Sequence, residues 1–197
     1  QISSAMAVMH TESGVHRNIH LGGVTAFLPE EAYLRTDKAS GGDAAKAANS
    51  PIKKATFKKK VVCKIGDFWF LHNPRRPGCS FSMGRADWGN RLTLPPEASN
   101  GAAGVSAITE KSDVYALGIC VLMWVTNGAI TSVPSVTATM GAQPGFISAV
   151  ENLANVLPKR WGVWVHTVLK MCLQPIPKNR ATAREVARFL SSSVGKK

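Results

Sequence analysis

The sequence predicts a mainly α domain with a few short strands, and three stretches carry that prediction. The first is Val114–Val125, a run without a charged residue whose apolar positions pass around every side of a helix. The second is Trp161–Leu173, strongly apolar and stopped by Pro175 and Pro177. The third is Thr182-Ala183-Arg184-Glu185, a capping box in which serine or threonine and glutamate each satisfy an orphan amide of the other. A helix with no polar face is normally buried on all sides, so Val114–Val125 is expected to be the central post of the fold. Twelve residues of helix span roughly 18 Å, short of the ~30 Å hydrocarbon core of a bilayer. Thr109, Ser112 and Asp113 offer capping oxygens before the post, and Asn127-Gly128 suits its end.

Taken in order, Ile2–Met9 is apolar and reads as a helix ending near His10–Gly14. Val24–Leu28 is short, β-branched and aromatic, and Val61–Ile65 has the same character, so each reads as a small strand. Residues 29–60 read as a flexible insertion, with the low-complexity run Ala39–Ser50 inside it and eight basic residues against four acidic ones. From His72 to Asn90 the chain is rich in Pro, Gly, Arg and Ser, a long loop of the kind that often carries function. Phe146–Leu157 reads as a further helix, and the capping box at Thr182 opens a last one through Leu190, with Ser191–Lys197 as a frayed tail.

The 45% hydrophobic content of the 197 residues argues for a packed domain. Cys63, Cys79, Cys120 and Cys172 form no C-x-x-C pair and no His–Cys group of metal-ligand spacing. Buried free thiols in a reducing compartment are therefore expected. No signal-peptide pattern is present, so the expected location is intracellular, the cytoplasm. The opening at Gln1, already helical in character, reads as a piece of something longer. A formal charge of +12 fits either an anionic partner such as RNA or an ordinary basic domain. No nucleic-acid-binding motif accompanies it.

Five motifs follow one another along the chain: Val15-His16-Arg17-Asn18-Ile19, Asp67-Phe68-Trp69, Pro95-Pro96-Glu97, Thr109–Gly118 (TEKSDVYALG), and Cys172-Leu173 through Arg180-Ala181-Thr182. In that order they resemble the C-terminal lobe of a eukaryotic protein kinase. They stand for its H-R-D, D-F-G and A-P-E triplets, the "ksDVysfG" start of its central helix and its "CL…dP…RPT" ending. The resemblance implies a kinase-like C-lobe over residues 1–197, with 29–60 as an insertion and 67–97 as the activation segment. No glycine-rich loop or strand lysine of an N-terminal lobe is found in this chain. It further implies that Glu97 and Arg180 form a buried ion pair, and that Asp113 caps the backbone of the catalytic loop. His16 would be a packing residue. Arg17 would bind a phosphate on the 72–90 loop, for which Ser80 and Ser82 are the acceptors; an arginine held by local carbonyls is the other reading. His10, His72 and His166 show no convergent partners in the sequence.

At the positions that handle phosphate the chain departs from the family pattern. Asn18 stands where the aspartate accepts the substrate proton, and an amide cannot take a proton at neutral pH. General-base assistance is worth about 10²–10⁴ in rate. His20 replaces the lysine that touches the transferring phosphate. Gly23 replaces the metal-holding asparagine and has no side chain to coordinate with. Asp67 is kept as a candidate Mg²⁺ ligand, although Trp69 replaces the glycine beside it. Asn90 and Thr93 stand where the family carries threonine and tyrosine.

The expected function is a pseudokinase: a catalytically impaired kinase-like lobe binding protein partners as a scaffold or regulator. One alternative is an atypical active serine/threonine kinase; another is a basic structural component contacting RNA through Lys53–Lys60. No resident cofactor is expected, ATP and Mg²⁺ entering only if an N-terminal lobe is supplied. No membrane partner is expected.

Overall fold

The central post forms as a 16-residue helix and is walled by other helices over most of its length. In order, the computed structural model contains α1 (Ile2–Thr11), β1 (Val24–Phe27), β2 (Val62–Ile65), α2 (Pro96–Ser99), α3 (Glu110–Val125), α4 (Gly162–Cys172) and α5 (Ala183–Val194). Single 3-10 turns stand at Leu21–Gly23, Phe68–Phe70, Arg91–Thr93 and Pro177–Asn179. The structure describes residues 1–27, 61–73, 90–99, 108–128 and 161–194. The insertion at 29–60, the helix expected over Phe146–Leu157, Cys79, and the acceptors Ser80 and Ser82 lie outside them.

Local chemistry sets the ends of α3. Thr109 accepts from the Lys111 amide and receives the return bond of a capping box, its own amide donating to Ser112 Oγ. At the other end Asn127 is left-handed (φ 53°), and the Gly128 amide reaches back to Met123 O at 2.7 Å. This is a Schellman closure.

One side of α3 (Tyr115, Ile119, Leu122, Val125) packs on Val165, Leu169 and Leu173. Its other side (Val114, Leu117, Cys120) meets Met6, Ile19, Val168, Cys172 and Val186. Burying an aliphatic side chain stabilises by about 1.5–3 kcal/mol, so these two faces carry much of the fold. The all-round burial expected of Val114–Val125 fails at its end: Trp124 is 56% exposed. There its ring meets Trp161 at 4.8 Å.

Helices α3 and α4 approach closely at Gly118. A Cβ there would stand 2.7 Å from Cys172 Cβ and 2.7 Å from Leu173 Cδ2. Gly118→Ala would gain up to about 1 kcal/mol of helix propensity. Overpacking costs about 1–3 kcal/mol, and the Cys172 Cβ, fixed to its backbone, cannot swing away. We expect net destabilisation, measured as a lower urea midpoint.

Cys120 and Cys172 are buried free thiols, and burial pushes both up to about 12. Cys63 is free and half-buried. Strands β1 and β2 pair antiparallel, Val24 opposite Ile65 and Phe27 opposite Val62. The capping box at Thr182 is present in both directions. Helix α5 does not fray at Ser191: it runs to Val194, with the Ser191 and Ser192 hydroxyls bonded to Ala187 O and Phe189 O. Among the described residues no helix is long and apolar enough to cross a membrane.

Candidate functional site

The site is assembled from Asp113, in the first turn of α3 and 1% exposed. Its Oδ2 accepts from the His16 amide at 2.7 Å and its Oδ1 from the Arg17 amide at 2.8 Å. Those bonds hold Arg17 in a left-handed conformation (φ 67°), which costs a non-glycine residue about 1–2 kcal/mol. A third donor was not foreseen from the sequence. His10 Nε2, near the end of α1, donates to the same Oδ2 at 3.0 Å, so His10 is a structural partner rather than an incidental histidine. Nothing local signals it, because the two residues lie 103 positions apart.

The loop from Val15 to Gly23 then meets the segment after β2. Val15 and His72 pair through both backbone bonds, a partnership of His72 that the sequence did not indicate. His16 is fully buried and meets the Phe68 ring at a tilt of 54°, with ring centroids 4.7 Å apart. Its Nδ1 accepts from the Asn18 amide, so its Nε2 carries the proton donated to Gly66 O at 3.0 Å. Burial pulls its pKa below the usual imidazole value against the opposing pull of Asp113. The ring is thus a neutral packing piece.

Asp67 follows at φ 63°, left-handed, and its carboxylate faces the loop. Asn18 Nδ2 donates to Asp67 Oδ2 at 2.6 Å, and His20 Nε2 donates to the same oxygen at 2.9 Å. The other end of the Asn18 amide, Oδ1, accepts from the Asn90 amide at 2.8 Å. Gly23 lies beside them: a Cβ on it would stand 3.1 Å from His20 Nε2 and 3.6 Å from Asp67 Cβ. Asn18, His20, Gly23 and Asp67 therefore share one cleft. Arg17 lines a small neighbouring depression with Asn90, Thr93 and Leu94.

Behind the cleft, Arg180 and Glu97 join by two bonds of 2.6 Å each. The guanidinium also donates to Gln174 O, Lys111 O and Pro175 O, and lies 4.8 Å from the Tyr115 ring centre. Ser112, the third residue of α3 and the partner of Thr109 in its capping box, donates to Glu97 Oε1 at 2.8 Å. The turn Pro96–Ser99 is thus tied to both α3 and the approach to α5.

The cleft does not fit Mg²⁺. That ion takes near-octahedral oxygen ligands, typically one or two carboxylates with waters and substrate phosphates. Asp67 is the carboxylate present, both Asn18 and His20 aim N–H groups at its Oδ2, and Gly23 brings no side-chain ligand, its carbonyl being taken by the Gly66 amide. Among the described residues no group of three or more His, Cys, Asp or Glu side chains could hold a metal. Compared with known protein families and with curated proteins, the chain matches no family model and no curated sequence.

Proposed function

We propose that this chain is a catalytically impaired, protein-kinase-like lobe that serves as a protein-binding or scaffolding module. The observation carrying this reading is the use made of Asn18. Its amide bridges Asp67 and the Asn90 backbone, one end donating and the other accepting. A group so employed holds two segments together, and it has no basic lone pair for a substrate proton. The frame around it supports the same reading. Asp113 still gathers the loop, and the Glu97–Arg180 pair still anchors the segment leading into α3. A folded lobe kept without its proton acceptor is suited to presenting a surface.

A radiolabel-transfer assay on the intact protein, with ATP and Mg²⁺, tests it. The expected result is no incorporation above background, either into the protein itself or into generic basic substrates. Incorporation that disappears in Asp67→Ala would overturn the proposal in favour of an atypical active kinase.

A further inference from the structure

We propose that the His16 ring is an acid-released clasp: a proton added to it unfastens the Val15–Gly23 loop from the Gly66–His72 segment while the helical core stays folded. The ring is fully buried between the two segments. Its Nε2 donates to Gly66 O at 3.0 Å on one segment, and its Nδ1 accepts from the Asn18 amide at 3.3 Å on the other. Only the neutral ring does both. The charged ring is a donor at both nitrogens. Its new hydrogen would point at the Asn18 N–H, donor against donor, in a place closed to water. Asn18 matters beyond its amide, since its side chain bridges Asp67 and the Asn90 backbone.

The charged and titratable groups around the ring come from each element packed near it. Asp113 stands on α3, Asp67 on the segment after β2 and His20 on the ring's own loop. Arg17 follows it in the chain, and His72 pairs with its neighbour Val15. His10, on α1, touches the same Asp113 oxygen as the His16 amide. The two carboxylates favour a proton on the ring, but its nitrogens bond to Gly66 and Asn18 rather than to either of them. Desolvation outweighs their pull, so the folded ring titrates below the ordinary 6.5. A group depressed in this way stabilises the closed loop above that value, and the stabilisation is lost as pH falls below it. The α3–α4 seam of Ile119, Leu122, Val125, Val165 and Leu169 is aliphatic and indifferent to that proton.

Amide hydrogen exchange of the intact chain, expressed as protection factors, tests this. From about pH 7.5 to about pH 5.5 the Asn18 and His72 amides should lose up to about tenfold in protection, since one proton bound on opening favours the open loop about tenfold per pH unit. The Ile119 and Leu122 amides should not change. His16→Gln keeps a donor for Gly66 O and takes no proton, so its Asn18 amide should be less protected but no longer sensitive to pH. Ring ¹⁵N shifts of the wild type need no variant: His16 should remain the Nε2–H tautomer in every closed molecule. Equal protection at both pH values would overturn the proposal. So would an imidazolium at His16 with the Val15–His72 bridge still protected, or a uniform loss reaching α3, which is unfolding rather than release. A His16→Gln chain that keeps the full loss would overturn it too, assigning the response to His72 or His20.

Discussion

Arg180→Ala is expected to destabilise the fold by about 3–5 kcal/mol, the usual cost of removing one partner of a buried ion pair. The Arg180 side chain has no exposure and that of Glu97 has 11%, so the carboxylate left behind would be short of both charge and water. Three backbone carbonyls, of Gln174, Lys111 and Pro175, would lose their donors at the same time. For a chain of this size a loss of that magnitude lowers Tm by about 10 °C. Urea unfolding monitored by circular dichroism measures it. Arg180→Lys keeps the charge but not the planar fork that makes both 2.6 Å bonds, and should fall between alanine and wild type. Adding Glu97→Gln to Arg180→Ala should cost less than the sum of the two, because they break one contact.

Asp113→Ala should cost about as much, for a different reason. Besides the charge that offsets the partly buried Arg17 guanidinium, three donors converging on one buried carboxylate lose their acceptor together: the His16 amide, the Arg17 amide and the His10 ring. An unsatisfied buried donor costs about 1–3 kcal/mol, giving a total on the order of 4 kcal/mol. Relaxation of Arg17 out of its left-handed conformation can return only about 1–2 kcal/mol of that. Amide hydrogen exchange gives the local reading: the His16 and Arg17 amides should lose protection well beyond the global change. Asp113→Asn, which retains one acceptor oxygen, should lose roughly half as much.

What was legible in the sequence follows from the range of each interaction. The cap at Thr109, the closure at Asn127-Gly128 and the box at Thr182–Glu185 all act within a few residues, and each stands where the sequence put it. The strands also emerged, since alternation and β-branching are local properties. The end of α5 was misjudged because serine is a middling helix former; the hydroxyls of Ser191 and Ser192 instead bond back along the helix. Exposure of Trp124 was hidden too, since an uncharged run says nothing about where neighbouring helices stop. The contact of His10 with Asp113 depends on α1 lying beside α3. Gly23 shows the opposite limit: the sequence marked it as a missing ligand, while its effect on His20 is one of space. The meeting of Asn18, His20 and Asp67 was legible only through the order of the motifs, because their separations of 47–49 positions carry no periodic signal.

The two-ended grip of Asn18 works as a ratchet. Only a side chain with a donor at one end and an acceptor at the other can serve Asp67 and the Asn90 backbone together. An acid at position 18 would set two carboxylates at near-contact distance, where both cannot stay ionised. A single exchange at position 18 is therefore opposed by its surroundings, since Asp67 and the Asn90 backbone would lose their shared partner together.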